Sequence, residues 1–194
     1  MRYIIATLFS LVFTAAVAGD FEDGVAAYRR QDYATALTKF LSAAQEGNRN
    51  AQTLVGMMYY EGKGAAQDYK EAARWIKLAA QQGVADSQLN LGAMYDKGHG
   101  VAQDSKEAIR WYKLAAQQGE TLAQYNLAFM YYHGKGVLQD YVRAHMWFNI
   151  AAVGGDSDST KSRETTASKM TAQQVEQAQR MARECMNSKF TKCD

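Results

Sequence analysis

The sequence predicts an all-α fold: a right-handed solenoid of stacked antiparallel helix pairs, about ten helices in all, closed by a C-terminal capping pair. Two observations carry the prediction. The first is a strict 36-residue period, kept by Trp75, Trp111 and Trp147, by Tyr59, Tyr95 and Tyr131, by Asp68, Asp104 and Asp140, and by Gly83, Gly119 and Gly155. A period of roughly 20–50 residues marks one supersecondary unit stacked on copies of itself. The second is punctuation. The chain of 194 residues holds no proline, and the glycine pairs Gly62/Gly64, Gly98/Gly100 and Gly134/Gly136 keep the same register, so helices are ended by glycine and by capping residues.

Residues 1–18 stand apart from the repeats. Arg2 supplies a short positive segment, Tyr3–Val17 is uncharged and apolar, and Ala16-Val17-Ala18 gives the small-x-small pattern of a cleaved secretory signal. The apolar run is short for a membrane span, which needs about 20 residues. Cleavage is expected to start the mature chain near Gly19, with no stable membrane insertion. Arg2 is the one charged residue removed, leaving 21 basic against 20 acidic side chains. That near-balance gives no footprint for nucleic acid and no polybasic membrane patch.

The units follow in order. Residues 19–48 read as an N-terminal helix pair in which Gly24, Ala36, Phe40 and Ala43 have spacings of 12, 4 and 3. Three full units follow, at 49–84, 85–120 and 121–155. In the last, Ala123, Leu127, Ala128 and Tyr131 share one face of a helix A, with Met130 beside them. Helix B begins at Asp140 and carries Ala144, Trp147, Phe148, Ala151 and Ala152 at helical spacing. Asp68 with Glu71 and Asp104 with Glu107 resemble capping boxes, and Arg143 replaces the glutamate in the third unit. The Gly-x-Gly loops follow helices rather than strands, so they read as helix stops and not as phosphate cradles. Residues 156–194 read as a C-terminal cap: a polar helix, then a last helix opened by a Thr171/Gln174 capping box and bearing Val175, Ala178, Met181, Ala182 and Cys185.

Cys185 and Cys193 both lie in the last ten residues. An even count in an exported chain reads as a disulfide, with two free thiols or part of a metal site as the alternatives.

The pattern A-Q-x-N-L-G/A-x-M-Y-x-x-G-x-G-V-x-x-D-x-x-x-A-x-x-W-y-x-x-A-A-x-x-G, standing at Ala51–Gly83, Ser87–Gly119 and Ala123–Gly155, resembles the Sel1-like repeat, a relative of the tetratricopeptide repeat. The pair at 19–48 is similar to a tetratricopeptide unit, with four fewer residues in its inter-helix turn. The segment around Lys169-Met170-Thr171 resembles the tail that follows such arrays. The resemblance implies a bacterial, exported (periplasmic or secreted) member whose A helices line a concave, protein-binding face.

On that face the three copies disagree. Tyr125, Asn126, Phe129 and Tyr132 occupy it in the last unit; Leu89, Asn90, Ala93 and Asp96 in the middle one; Thr53, Met57 and Tyr60 in the first. Aromatic residues and methionine are enriched at protein-binding hot spots. The sequence therefore points to a monomeric, non-enzymatic adaptor that binds a peptide or protein here. One alternative has Tyr125, Phe129 and Tyr132 receive the C-terminal cap. Another makes the protein an envelope assembly factor that holds a folded partner.

Catalysis finds little support. His99, His133 and His145 lack metal-ligand spacing, and no metal or cofactor is implied. Some secreted relatives of this type are associated with β-lactam binding or hydrolysis, which leaves a remote third reading. That lineage pairs cysteines within each repeat, whereas these repeats hold none, and the chain has neither S-x-x-K nor K-T-G.

Overall fold

The structure is a computed structural model and describes residues 19–193; the expected signal segment, 1–18, lies outside the described residues. Ten helices and no strand appear among them, as the period predicts. Helix α1 covers 19–29. It is followed by α2 (Tyr33–Gln45), α3 (Arg49–Glu61), α4 (Tyr69–Gln81), α5 (Ala85–Lys97), α6 (Ser105–Ala116), α7 (Thr121–His133), α8 (Tyr141–Val153), α9 (Ser157–Ala167) and α10 (Ala172–Asn187). None of these is long and apolar enough to cross a membrane.

The chain forms two compact bodies, one running to Val84 and including His99–Val101, the other made of Ala85–Gly98 and everything from Ala102 onward. In the first body α2 packs on α3 and α3 on α4. Its core gathers Leu37, Phe40, Val55, Met58 and Trp75 around buried alanines. Small residues set the spacing. A Cβ on Gly24 would fall 2.6 Å from the Phe40 ring, and one on Gly56 would meet the Ile76 side chain. From α1, Asp20 accepts hydrogen bonds from Lys39 (2.7 Å) and from the Ser42 hydroxyl (2.6 Å) of α2.

In the second body α5 packs on α6, α6 on α7 and α7 on α8, while α9 and α10 both lie against α8. Its core holds Tyr112, Leu127, Met130, Met146, Trp147, Phe148 and Ile150, with Ala178, Ala182 and Cys185 from α10. The three repeat tryptophans are buried, Trp147 to 1% exposure. Burial of an aromatic side chain dominates the energetics of a helix pair. Two buried glutamines bridge to the preceding helix: the Gln52 amide donates to Ala44 O (3.1 Å), and that of Gln124 to Ala116 O (3.3 Å).

The expected capping boxes form only in part. Asp68 accepts from the amides of Lys70 and Glu71, and Asp104 from those of Lys106 and Glu107. The reciprocal half is missing because the cap amides are already used. Asp68 N–H donates to Tyr59 O and Asp104 N–H to Tyr95 O, each at 2.9 Å. Glu71 and Glu107 turn instead to Arg74 and Arg110, at 3.0 and 3.1 Å. At α10 both halves of the Thr171/Gln174 box are present.

Cys185 and Cys193 form the expected disulfide, with Cα atoms 4.6 Å apart. Lys189 and Phe190 take left-handed backbone angles (φ 52° and 64°) as the chain turns back between them. The turn brings the Phe190 ring near Gly119, so the bridge pins the tail onto the second body's core.

Candidate functional site

Every residue of the expected interaction face lies on an A helix, and none is fully buried. Thr53, Met57, Tyr60, Leu89, Asn90, Ala93, Asp96, Tyr125, Asn126 and Tyr132 are half-buried, whereas Phe129 is 42% exposed. Equal burial hides different chemistry, because each Gly-x-Gly loop reaches back to the helix pair before it.

In the first body Lys63, the middle residue of its loop, lies 5.7 and 5.6 Å from the ring centroids of Tyr28 and Tyr33. Its ammonium donates to the Tyr28 hydroxyl at 3.3 Å and pairs with Glu61 at 2.7 Å. Glu61 first and Tyr28 second hold the ammonium well above its usual range. Thirty-six residues on, His99 stacks on Tyr69 (4.7 Å between centroids, 15° between planes), and its Nδ1 sits 2.9 Å from the Tyr60 hydroxyl. Tyr60 also packs on Tyr69, at 5.0 Å, and burial raises the pKa of its phenol. The expected contact residue Tyr60 is thus engaged by the chain's own loop.

The glycines make that approach possible. Gly100 has φ +73°, and a Cβ there would collide with the Tyr69 carbonyl oxygen. In the second body the same device uses charge: Lys135 pairs with Asp96, on the face of α5.

The last unit differs. Tyr125, Phe129, Tyr132 and His133 of α7, Phe148 of α8, and Lys161, Ser162 and Thr165 of α9 line a cavity of about 200 Å³. The Tyr125 ring meets Phe148 edge-on at 5.5 Å, Phe129 lies 4.2 Å from His133, and Tyr132 lies 5.4 Å from Tyr141. Helix α9 supplies one wall and leaves Phe129 in solvent. Sequence reasoning picked out three lining residues on α7 as candidate contacts. It missed Phe148, Lys161, Ser162 and Thr165, which come from other helices and share no helical face with them.

His145 on α8 is buried, and burial, followed by the nearby charge of Arg163, lowers its pKa. Arg163 in turn donates to Asn149 at 3.0 Å, tying α9 to α8. No group of three metal-ligating side chains is gathered among the described residues. An open aromatic hollow with a lysine at its wall is suited to holding a side chain of another molecule by burial and stacking.

The family profile described as Sel1 repeat matches residues 49–84, 85–120 and 121–156, more than half of the chain. Among solved structures, a Sel1 repeat protein from Oxalobacter formigenes is 37% identical over 72% of this chain and 57% of its own, with a TM-score of 0.67. A protective antigen present in uropathogenic Escherichia coli strains, described as displaying an SLR fold, is 26% identical over 90% of this chain and 47% of its own, with a TM-score of 0.62. The chain thus spans only about half of the length of these two structures. No curated protein gives a significant match. Profile and structural likeness agree with the helix-pair repeats described above, and the chain belongs to the Sel1 repeat family.

Proposed function

We propose that this protein is a non-enzymatic interaction scaffold of an exported compartment, binding a protein or peptide segment against the A-helix face, with α7 as the anchor. Sel1 repeat proteins are in general scaffolds for protein–protein interaction. The observation that carries the specific reading is the cavity walled by Tyr125, Phe129, Tyr132 and Phe148, with Phe129 left exposed at its mouth. Aromatic anchors in a pocket of this kind supply most of the binding energy in protein interfaces. Leu89, Asn90 and Ala93 offer the same class of half-buried surface on α5 of that body, whereas Asp96 is held by Lys135 and, in the first body, Thr53 and Met57 stand beside a Tyr60 already held by His99. The export reading is supported by the Cys185–Cys193 disulfide, since such bonds persist in oxidising compartments.

The test is capture of the partner from the source cell by the wild-type chain and by the Tyr125→Ala/Phe129→Ala double variant. A specific protein retained by the first and lost by the second, with both equally folded, is the expected result. Undiminished capture by the variant overturns the site. Fractionation with N-terminal sequencing checks the location, and a mature chain beginning near Gly19 is expected.

A further inference from the structure

The tyrosine pairs of this chain form a series. Tyr28–Tyr33 and Tyr60–Tyr69 meet at 5.2 and 5.0 Å with planes 68° and 56° apart. Each holds a nitrogen side chain from the middle of the next Gly-x-Gly loop, Lys63 on the first and His99 on the second. Tyr132–Tyr141 repeats the arrangement, at 5.4 Å and 63°. The loop that would fill it is missing. Between α7 and α8 the chain spends residues 134–140, whereas between α9 and α10 it spends only 168–171, with no glycine among them. Among the described residues no lysine or arginine lies over either ring; the contact on Tyr132 comes edge-on from His133 of its own helix, at 4.9 Å.

We propose that Tyr132–Tyr141 is a docking site for a basic side chain borne on a tight, glycine-flanked turn of a partner protein. The intrachain interface itself specifies the occupant: two copies of the seat are filled, by Lys63 and His99, and the third continues the series without a filler. Lysine is the better guest, because an ammonium over two rings gains from both π faces. Glycines beside it let the guest backbone approach Tyr141 as Gly64 approaches Tyr33 O and Gly100 approaches Tyr69 O. The proposal deepens the scaffold reading and rests on it, adding Tyr141 and a charge requirement.

The probe is an acetylated, amidated pentapeptide with the sequence of Glu61–Ala65, titrated into the full chain while the tyrosine ring resonances are followed by NMR. Saturable shifts at Tyr132 and Tyr141, with a Kd on the order of millimolar, are expected. Replacing the peptide's lysine by norleucine should weaken binding at least about fivefold, the equivalent of losing roughly 1 kcal/mol. Tyr141→Ser should abolish the shifts, and the fold tolerates serine at the corresponding Ser105. Absence of saturable shifts at these rings, or equal binding of the norleucine peptide, overturns the proposal. Should a captured partner depend on Phe129 but bind Tyr141→Ser as well as wild type, this site fails while the scaffold reading stands. Pentapeptide binding without any partner lost on Tyr125→Ala/Phe129→Ala does the reverse.

Discussion

Helices α3 and α7 descend from the same repeat position, yet one face is closed and the other open. On α3, Tyr60 is bonded to His99 and packed on Tyr69, so its ring helps hold its own body together. On α7, Tyr125, Phe129 and Tyr132 border a cavity, and the α9–α10 turn is three residues shorter than the α7–α8 loop. The repeats thus spend one aromatic position in two ways. Where a full loop follows, the aromatic is structural; where α9 and α10 replace the next repeat, it borders an open cavity.

The largest expected effect separates core from face on the same helix pair. Trp147→Ala, at 1% exposure, should cost about 4 kcal/mol. Phe129→Ala, 42% exposed, should cost less than about 1 kcal/mol and act on binding instead. Chemical denaturation of both variants decides it, and equal losses would break the distinction.

Gly100→Ala attacks the closed face. It places a Cβ against the Tyr69 carbonyl in a left-handed backbone, for about 3 kcal/mol. Gly83→Ala has the same backbone sign but open space, and should cost only about 1 kcal/mol. Loss of the His99 stacking signature in the first variant alone would show that the loop, and not the helix, closes α3.

Cys185→Ala/Cys193→Ala should lower stability by about 2.5 kcal/mol, from an eight-residue separation. Partner binding at α7 should survive, because α9 rather than α10 lines the cavity. A binding loss matching that of Phe129→Ala would move the site toward the tail.

The smallest effect is a pH dependence in the second body. Burial lowers the folded-state pKa of His145 below its ordinary value of 6.5, so the unfolded chain binds the proton more readily. Its neutral form contributes full stability above pH 6.5, and that contribution is lost as pH falls from 6.5 toward the folded-state pKa. Thermal melts should therefore show Tm declining on mild acidification, with a shallower decline in His145→Gln. Identical slopes would remove His145 as the cause.

The sequence discloses those features that recur as letters. Trp75, Trp111 and Trp147 are legible as core because the same side chain meets the same packing three times. The Thr171/Gln174 box is legible because both partners lie within one turn. The glutamate half of the Asp68 and Asp104 caps misleads because a carbonyl nine residues back takes the amide first. The loop clamps are illegible for a different reason. Their residues change identity from Lys63 to His99 to Lys135, and the tyrosines and aspartate they clamp stand 30 to 39 residues away, so no local pattern repeats. Tyr141 and Phe148 of α8 and Lys161 of α9 join the α7 site from other helices, which only the folded chain brings together.

The most direct measurement places a photo-crosslinking side chain at position 129 or at position 176, an exposed site on α10, in the source cell. A discrete protein adduct at 129 and none at 176 is predicted. Adducts of equal yield at both positions, or at 176 alone, would contradict an anchor on α7.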